Sequence, residues 1–215
     1  MDQLKFEKYR KQALSTVYSE PDTPEFHTPL IKGVVDLFLP LMELSTGSRI
    51  IDIGCGQGAF MEYMRQKGFN DLLGVTLSPE DASACEQKGF LSLQCDFSDL
   101  YVENNSVDLI WCRHALEHSP YPVFSLMEFN RVVKMGKYVY VEVPAPNLDD
   151  RNHEGNANHY SVLGDRMWVN LFQRTGFQII QYNQSEFSLT NGQKNFKEMF
   201  YCFLLHKNRL LPCNQ

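Results

Sequence analysis

The chain has 215 residues, of which 43% are hydrophobic and 21% charged, with a net charge of −6 at pH 7. This length and composition suit one globular domain with a sizeable core, and the apolar runs are too short to span a bilayer, so membrane insertion is not expected. The acidic balance makes a nucleic-acid substrate less favoured, because such substrates require a basic surface.

The first part of the chain is predicted to be helical. Residues 1–8 are charged and lack the apolar core of a signal peptide, which predicts a cytoplasmic location. A first helix is predicted over residues 4–18, whose apolar side chains follow helical spacing at Phe6, Tyr9, Ala13 and Val17. A second is predicted over residues 28–44, with Thr28 as its N-cap and Pro29 in its first position. We interpret residues 1–46 as a helical cap over the ligand-binding edge of the fold; a helix packed on one sheet face is the alternative.

The central motif lies in residues 49–60, where an isoleucine-rich run gives way to Gly54, Gly56 and Gly58. This pattern is typical of a buried parallel strand, a tight turn and the start of a helix. Glycine adopts positive φ and lets a ligand approach bare backbone, and the amides at the helix start face that ligand. Asp52 precedes the first glycine by two residues, where a carboxylate would repel a pyrophosphate. A ligand with an ammonium group and no phosphate is therefore favoured, although a GxGxxA pattern keeps a nicotinamide cofactor as an alternative.

Strand-then-helix units follow along the rest of the chain. Strands are predicted at residues 48–53, 71–77, 91–95, 107–112, 137–143, 177–184 and 196–206. Helices are predicted at residues 58–67, 78–88, 123–133 and 161–175, the third closed by Met135-Gly136 and the last with Val162, Met167, Leu171 and Phe172 inward. A long polar loop is predicted from Pro144 to Asn158 and a turn at Asn191-Gly192. This order predicts an α/β fold with a doubly wound, mostly parallel sheet and helices on both faces.

Asp52-x-Gly54-x-Gly56-x-Gly58 resembles the first motif of the class I S-adenosylmethionine-dependent methyltransferases. The resemblance covers about residues 47–206 and implies a Rossmann-like sheet of seven strands, the seventh antiparallel between the fifth and sixth. That fold requires a hairpin-like pair of strands after five strand–helix units, and the last two predicted strands of this chain supply it. The resemblance therefore implies a methyltransferase domain over residues 47–215, S-adenosyl-L-methionine as cofactor and S-adenosyl-L-homocysteine as product.

The resemblance assigns the cofactor to four strand ends. The cofactor-binding residues that it implies are Asp52, Gly54, Cys55, Gly56, Gly58, Thr76, Leu77, Asp96, Phe97, Arg113 and His114. Asp96 stands where the family uses an acid to accept the adenine amino group; the alternative is a cap of the following turn. Thr76 stands where many members carry a ribose-binding acid, and a hydroxyl binds ribose without charge assistance. The segment Gly74–Ser78 resembles the variant seen in cyclopropane-fatty-acid synthases.

Residues 111–118 resemble the fourth-strand motif of the small-molecule, type 11-like methyltransferases. In those proteins the residues matching Arg113 and His114 line the methionine end, next to the transferred methyl group. His114 is therefore the candidate catalytic base for an acceptor hydroxyl or amine. His118 is a weaker catalytic candidate, which shares that face if the segment is helical. The candidate acceptor-binding residues end or follow strand five: Glu142, His153, His159 and Tyr160.

No metal is predicted. The six cysteines, at positions 55, 85, 95, 112, 202 and 213, form no C-x-x-C pair and indicate neither a zinc site nor a disulfide framework. A set of conceivable ligands exists in His114, His118, His153, His159, Glu117 and Glu154. Without a recognised ligand spacing, solvated loop histidines are the simpler interpretation.

The sequence therefore predicts an S-adenosylmethionine-dependent methyltransferase that acts on an O or N atom of a small molecule, sugar or lipid-linked precursor, as a monomer or homodimer. Residues 113–116 lack the Asn/Asp-Pro-Pro-aromatic turn of nucleic-acid amino-methyltransferases, and the Pro212-Cys213 pair lies far from strand four. Cyclopropane-type C-methyl transfer, a nicotinamide-dependent oxidoreductase and a non-catalytic S-adenosylmethionine-binding protein remain as alternatives.

Overall fold

The computed structural model describes residues 3–15, 24–146, 153–191 and 194–211, with side chains described outside 24–27, 187–191 and 194–196. Its strands are β1 (Ile50–Ile53), β2 (Leu72–Thr76), β3 (Leu91–Gln94), β4 (Val107–Arg113), β5 (Val133–Pro144), β6 (Phe177–Asn191) and β7 (Lys194–Lys207). They form a seven-stranded sheet in the order β3-β2-β1-β4-β5-β7-β6. The first five strands run parallel, and β7 is antiparallel to both β5 and β6. The predicted sheet, with its antiparallel last strand between the fifth and sixth, is confirmed.

Helices cover both faces of the sheet. The α-helices are α1 (Gln3–Ala13), α2 (Pro24–Phe38), α3 (Ala59–Gln66), α4 (Pro79–Gln87), α5 (Pro122–Val132) and α6 (Asp165–Arg174). Single 3-10 turns occur at Leu39–Leu41, Leu116–His118 and His153–Gly155. Helices α2 and α3 pack on one face and α5 and α6 on the other, so the prediction of helices on both faces is also confirmed. Within the part of the chain that the structure describes, no helix combines the length and apolar content needed to cross a bilayer.

The face that carries α2 and α3 is organised by a run of stacked aromatic rings. Phe60 of α3 stacks on Trp111 of β4 with ring centroids 4.6 Å apart, and Trp111 stacks on Tyr140 of β5 at 4.0 Å. Phe38 at the end of α2 contacts the same Tyr140 ring at 4.8 Å. Aromatic pairs of this kind add about 0.5–1.5 kcal/mol each beyond the area they bury, so they fix how the helices sit on β4 and β5.

The local helix signals around the glycine turn hold in the structure. Phe60, Met61 and Met64 of α3 are buried, as their spacing predicted. Ser78 is the N-cap of α4, and its hydroxyl accepts a hydrogen bond from the amide of Asp81 at 3.1 Å. Such caps satisfy an amide that the helix itself leaves without a partner.

The bounds predicted for the second helix were wrong. Helix α2 begins at Pro24 rather than Thr28, and Pro29 lies inside it. Proline suits the first turn because its φ is fixed at a helical value, and Pro24 takes that place. The helix ends at Phe38 instead of Leu44, because Pro40 disfavours a helical residue before it and the chain continues as a 3-10 turn.

Two predictions in the C-terminal half were also wrong. Helix α5 ends at Val132 and β5 starts at once, so Gly136, with φ of 75°, does not close a helix but lies in a bulge inside the strand. In α6, Phe172 is buried and Leu171 packs against the core, as predicted, but Met167 is 52% exposed and the other buried residue is Trp168. The helix also starts at Asp165, four residues later than predicted.

Several predicted features fall outside the described residues. These are Val17, residues 147–152 of the polar loop between Pro144 and Asn158, Gly192 of the predicted turn, and Pro212-Cys213. In the described part of α1 no residue is buried, and Tyr9 is 47% exposed, so the apolar spacing there does not mark a core face.

Candidate active site

The parallel strands end at one edge of the sheet, where ligands bind in folds of this kind. The registers place Asp52 of β1 beside Gly74 of β2 and Trp111 of β4, and Arg113 of β4 beside Glu142 of β5. The loops after these strands therefore meet at a common crevice. The sequence placed its candidate residues on these loops.

The glycine turn is shaped for close approach to backbone. Gly54, Gly56 and Gly58 all have positive φ, at 67°, 47° and 84°. A Cβ added to Gly54 would lie only 2.6 Å from the Cβ of Ala115, which follows β4. The turn is held to β2 because the amides of Gly54 and Cys55 both donate to the carbonyl of Val75, at 2.9 and 3.1 Å. There is thus no room for a side chain at Gly54, and what the turn offers to a ligand is main chain.

The side chains at the start of the turn point in different directions. Asp52 is 4% exposed at the end of β1. The Cys55 sulfur lies 3.8 Å from the sulfur of Cys85 in α4, so its side chain faces the helix layer. Contact with Cys85 and burial raise the pKa of the Cys55 thiol. Of the two, Cys55 is placed to serve a ligand through its backbone.

The end of β2 is braced by short hydrogen bonds. The hydroxyl of Thr76 accepts a bond from the Ser78 amide at 3.0 Å, and the carbonyl of Leu77 accepts one from the Gln94 side chain at 3.2 Å. Because the Thr76 oxygen already accepts the amide, its hydroxyl hydrogen is the group that it has to offer a ligand.

Asp96 combines a structural and an open carboxylate oxygen. Its Oδ1 accepts the Ser98 amide at 2.9 Å and so caps the turn after β3, as the alternative interpretation proposed. Its Oδ2 is buried and has no hydrogen-bond partner among the described residues. A buried acceptor without a donor is costly, and an amino group of a ligand would satisfy it. The neighbouring Phe97 packs on the core, with its ring 6.1 Å from that of Phe129.

These features fit S-adenosylmethionine. The glycine turn has no room for a Cβ at Gly54 and exposes no side chain there, and the Asp96 Oδ2 lacks, among the described residues, the donor that an adenine amino group supplies. The positive φ angles present successive amides near the start of α3. The residues of this edge therefore match the chemistry of the implied group.

The strongest electrostatic cluster at this edge surrounds Glu142, which is fully buried. Its Oε1 lies 2.9 Å from Arg113 Nε and 2.9 Å from His114 Nε2. Its Oε2 accepts a hydrogen bond from the hydroxyl of Tyr140 at 2.6 Å. Burial favours the protonated carboxyl, but the charges of Arg113 and His114 outweigh it and lower the pKa of Glu142 to about 2.

His114 is held in an unusual backbone conformation. Its φ is 53°, in the left-handed region, and its amide donates to the carbonyl of Glu142 at 2.9 Å. Its ring meets that of Phe200 of β7 edge-on, with centroids 4.3 Å apart. A non-glycine residue in this region costs about 1–2 kcal/mol, which the contacts with Glu142 and Phe200 offset. Strain of this kind concentrates at functional sites.

A second group lies beside the first, on the 3-10 turn after β4. Glu117 is 2% exposed, and burial raises its pKa to about 8. Its Oε1 is 3.9 Å from His114 Nδ1, which links the two groups. The ring of His118 lies 4.8 Å from that of His159, and its Nδ1 is 2.9 Å from the carbonyl of Asn158. His118 thus faces the loop after β5 and not Glu142, because Leu116–His118 is a single 3-10 turn rather than an α-helix.

The other candidate acceptor-binding residues flank this second group. His153 stacks near His159 with centroids 5.8 Å apart, and it lies 5.7 Å from the ring of Phe200. Tyr160 points elsewhere, since its hydroxyl donates to the carbonyl of Ala13 in α1 at 2.7 Å. The structure therefore brings His153 and His159 together and directs the Tyr160 hydroxyl to the N-terminal helix.

Sequence reasoning missed two residues of this site, Tyr140 and Phe200. Tyr140 supports Glu142 from two residues earlier on the same strand, and the alternation of β5 was its available signal. Phe200 reaches His114 because β7 inserts beside β5, where Phe200 pairs with Pro144. No local sequence pattern predicts a contact between residues 86 positions apart. The contact follows from the position of β7 in the sheet.

Comparison with known proteins agrees with this geometry. Residues 51–141 match the family described as "Methyltransferase domain". The chain is 22% identical to a sarcosine/dimethylglycine N-methyltransferase of Aphanothece halophytica, over 93% of this chain and 76% of that protein. It is 26% identical to a ubiquinone biosynthesis O-methyltransferase of Pseudomonas aeruginosa, over 60% of this chain and only 55% of that protein.

Solved structures share the fold. A SAM-dependent methyltransferase from Archaeoglobus fulgidus superposes with a TM-score of 0.67 and 18% identity, covering 86% of this chain and 97% of that one. At this identity the likeness concerns the fold. The family match covers β1 to the middle of β5, which includes the glycine turn, Asp96 and His114.

Proposed function

We propose, from the premise that this chain is a class I S-adenosylmethionine-dependent methyltransferase, that it methylates an O or N atom of a small acceptor with His114 as base. The observation that carries the proposal is the pair formed by His114 and buried Glu142 at the crevice. The acceptor class includes small metabolites, sugars and lipid-linked precursors.

The cofactor would be held by the strand ends. We assign its methionine part to Asp52, the glycine turn and the residues Arg113 and His114, its ribose to Thr76 and its adenine to Asp96, with the backbone of Cys55, Leu77 and Phe97 beside them. S-adenosylmethionine, when bound, supplies an electrophilic methyl group, so the protein's main task is to position the acceptor. This edge is built for positioning, because its polar groups lie on buried strands.

His114 would remove the acceptor proton. A carboxylate is an acceptor only, so Glu142 favours a proton on the His114 nitrogen 2.9 Å away, Nε2. The other nitrogen, Nδ1, then carries the lone pair that takes the proton. The negative charge of Glu142 also stabilises the imidazolium that forms, which is how a buried carboxylate supports a histidine base.

An acceptor pocket would lie between the loop after β5 and the strand β7. The rings of His114 and His153 both contact the ring of Phe200 there. This wall combines aromatic surface with imidazole nitrogens and suits a flat or partly apolar acceptor that carries a polar group. His159 stands at its side; Tyr160 would act through α1 rather than by contact.

The names of the relatives support both acceptor atoms. One relative is named for transfer to nitrogen and one for transfer to oxygen. A hydroxyl is the weaker nucleophile and gains more from a base, so the His114–Glu142 pair favours an oxygen acceptor. Cyclopropane-type C-methyl transfer would need an apolar tunnel, and a nicotinamide cofactor would meet the buried carboxylate of Asp52.

We also propose that the N-terminal cap is α1, within the predicted unit of residues 1–46. Phe6 contacts the rings of Tyr121 and Phe124 at 6.0 and 6.1 Å, and Arg10 pairs with Asp99 at 3.1 Å. These partners follow β3 and β4 at the crevice edge. Helix α2 belongs instead to the core of the methyltransferase unit. A cytoplasmic monomer or homodimer remains our proposal for the protein's setting.

The test measures transfer of labelled methyl from S-adenosylmethionine to phenols, catechols, sugars and secondary amines. His114→Gln should lower the rate by about 10²–10⁴ while binding of S-adenosylhomocysteine, followed by calorimetry, changes less than tenfold. His206→Gln is the matched control, because His206 lies near the opposite end of β7 and beside Tyr138. It should keep the wild-type rate.

Three outcomes would change the proposal. Full activity in His114→Gln would exclude the base. Binding of S-adenosylhomocysteine without transfer to any acceptor or extract fraction would favour the non-catalytic binding protein. Tight nicotinamide binding without S-adenosylhomocysteine binding would remove the cofactor assignment itself.

A further inference from the structure

We propose that Glu117, His118 and His159 form a binding site for a divalent transition-metal ion at the wall of the acceptor pocket. Each residue offers one ligand atom, and the three atoms lie within 4.8 Å of one another. The site has no recognised ligand spacing along the chain, since 41 positions separate His118 from His159. The ion's role in methyl transfer rests on the proposed function above, whereas the site itself does not.

Main-chain hydrogen bonds bring the three residues together. Glu117 and His118 lie on the 3-10 turn after β4. The carbonyl of Glu117 accepts the amides of Tyr160 and Ser161, at 2.8 and 3.1 Å. These two bonds dock the loop after β5 onto the 3-10 turn and so place His159 beside His118. The cluster is therefore built by the fold and not by chance proximity of flexible side chains.

Both imidazoles present the same nitrogen to the cluster. His118 Nδ1 lies 2.9 Å from the carbonyl of Asn158, and His159 Nδ1 lies 2.8 Å from the carbonyl of His153. A carbonyl only accepts, so Nδ1 carries the proton in each ring and Nε2 carries the lone pair. Metal-binding histidines are oriented in this way, by a hydrogen bond from the nitrogen that does not bind the ion. At His159, the ion would replace the Asn156 side chain, now 3.1 Å from Nε2.

Glu117 supplies the second, independent indication of a ligand. It is 2% exposed, and its Oε2 is buried without a hydrogen-bond partner in the described part of the chain. A buried carboxyl oxygen without a donor costs stability, and ionising the group there costs more unless a cation accompanies it. Buried charges in native proteins are paired or coordinate metals, and the imidazole nitrogens beside Glu117 are themselves ligands for the same ion.

The ligand set indicates the kind of ion. Two imidazole nitrogens and one carboxylate suit Zn²⁺, Co²⁺, Fe²⁺ or Mn²⁺ better than Ca²⁺ or Mg²⁺, which prefer oxygen. Ligand atoms around a tetrahedral zinc ion lie about 3.3 Å apart, as its bond lengths of about 2.0–2.2 Å require, so binding draws the group together. Three protein ligands leave at least one coordination position open, which is typical of catalytic rather than structural sites.

The open coordination position would bind the acceptor oxygen in the proposed reaction. A divalent ion lowers the pKa of a bound hydroxyl, and His114 Nδ1 lies 3.9 Å from the Glu117 carboxylate. The acceptor O–H bond would break with its proton passing to His114. The oxygen would then form its bond to the methyl carbon as the carbon–sulfur bond breaks, and the sulfur would keep that electron pair. An acceptor with two adjacent oxygen atoms suits such a site best.

The experiment measures metal binding in the absence of cofactor and acceptor. Tag-free protein is freed of metal with a chelator and titrated with Zn²⁺ by calorimetry and with Co²⁺ by visible absorption, which reports the ligand geometry. The wild type is expected to bind one ion per chain. Glu117→Gln and His159→Ala should each weaken binding by at least about 100-fold, because even loss of a residue that only orients a ligand costs 10–100-fold.

The matched control is His153→Ala. His153 lies in the same loop and stacks on His159, but it is not one of the three residues whose ligand atoms converge. It should keep zinc affinity within about threefold. Thermal unfolding checks that each variant is folded, and Glu117→Gln keeps the volume of the side chain it replaces.

The outcomes separate this site from the proposed reaction. Absence of Zn²⁺ and Co²⁺ binding, or equal affinity in Glu117→Gln and wild type, would overturn the metal site while methyl transfer could still be found. One tightly bound ion that is lost in Glu117→Gln and His159→Ala supports the site, even if none of the tested acceptors is methylated. Methyl transfer that occurs only with the ion present would show that the metal site takes part in the proposed reaction.

Discussion

The two sides of the crevice differ in the groups that line them, main chain on one side and ionisable side chains on the other. The proposed cofactor side is main chain: three glycines of positive φ, with no space for a Cβ at Gly54. The proposed acceptor side consists of buried ionisable side chains, centred on Glu142 and Glu117. A side built of backbone is sensitive to added volume, and a side built of charge is sensitive to neutralisation. Substitutions of each kind therefore test this difference directly.

The two buried glutamates of the proposed acceptor side also differ from each other in charge. Glu142 and Glu117 are equally enclosed, yet the pKa of Glu142 falls to about 2 and that of Glu117 rises to about 8. Burial favours the neutral form in both, but Glu142 contacts the Arg113 guanidinium and the His114 ring, each at 2.9 Å, whereas in the described part of the chain Glu117 has the His114 ring at 3.9 Å. When two carboxyl groups are equally buried, the charged groups in contact with each one decide whether it is ionised.

The largest effect is expected from Glu142→Gln. Neutralisation leaves the Arg113 guanidinium, whose side chain is 9% exposed, without its counter-charge. Breaking a buried pair in this way costs about 3–5 kcal/mol, and it should also abolish measurable methyl transfer. Urea unfolding gives the free energy. Lys197→Gln is the control, since both side chains of its pair with Glu186 are exposed and the pair should be worth at most about 1 kcal/mol.

On the cofactor side, Gly54→Ala should cost about 2–4 kcal/mol, from the left-handed backbone and from overlap with Ala115. Binding of S-adenosylhomocysteine should be lost. Gly89→Ala isolates the backbone contribution, because Gly89 has φ of 76° but nothing within 4 Å of an added Cβ. If the two variants were equally stable, close approach at Gly54 would not matter.

The third prediction concerns pH. In the metal-free protein, Glu117 has a raised pKa in the folded state, so the unfolded chain binds fewer protons between pH 4.5 and 8, and stability falls as pH rises through that range. The effect should be about 1–3 kcal/mol and should vanish in Glu117→Gln. Glu142 acts oppositely: its pKa is lowered, so its stabilisation is present above pH 4.5 and is lost between pH 4.5 and 2. Denaturant midpoints measured from pH 3 to 8 would show both slopes.

The smallest effect is expected at the adenine end. Asp96→Asn should weaken binding of S-adenosylhomocysteine about tenfold, the value of one hydrogen bond of about 1.4 kcal/mol. Asp99→Asn lies three residues on, is half exposed and pairs with Arg10 of α1. It should change affinity less than twofold. Equal effects in both variants would mean that the open Asp96 oxygen does not meet the adenine.

The fold was predictable because its signals are local. Ser78-Pro79 followed by Glu80 and Asp81 is a strong signal for a helix start, and the isoleucine run before Gly54 is typical of a buried strand. The second helix shows the limit, since Pro24 and Pro29 are both acceptable helix starts and the local sequence does not choose between them.

By itself, the sequence determined the sheet, the glycine turn and the strand ends that carry Asp52, Asp96, His114 and Glu142. These features follow from hydrophobic period and backbone freedom, which act over a few residues. Only the tertiary structure decided that Phe200 contacts His114, that His118 turns to His159 and that Glu117 is buried with one carboxyl oxygen lacking a partner among the described residues. Those outcomes depend on β7 inserting beside β5 and on the loop docking at Glu117, contacts between residues about 40–90 positions apart that no local pattern encodes.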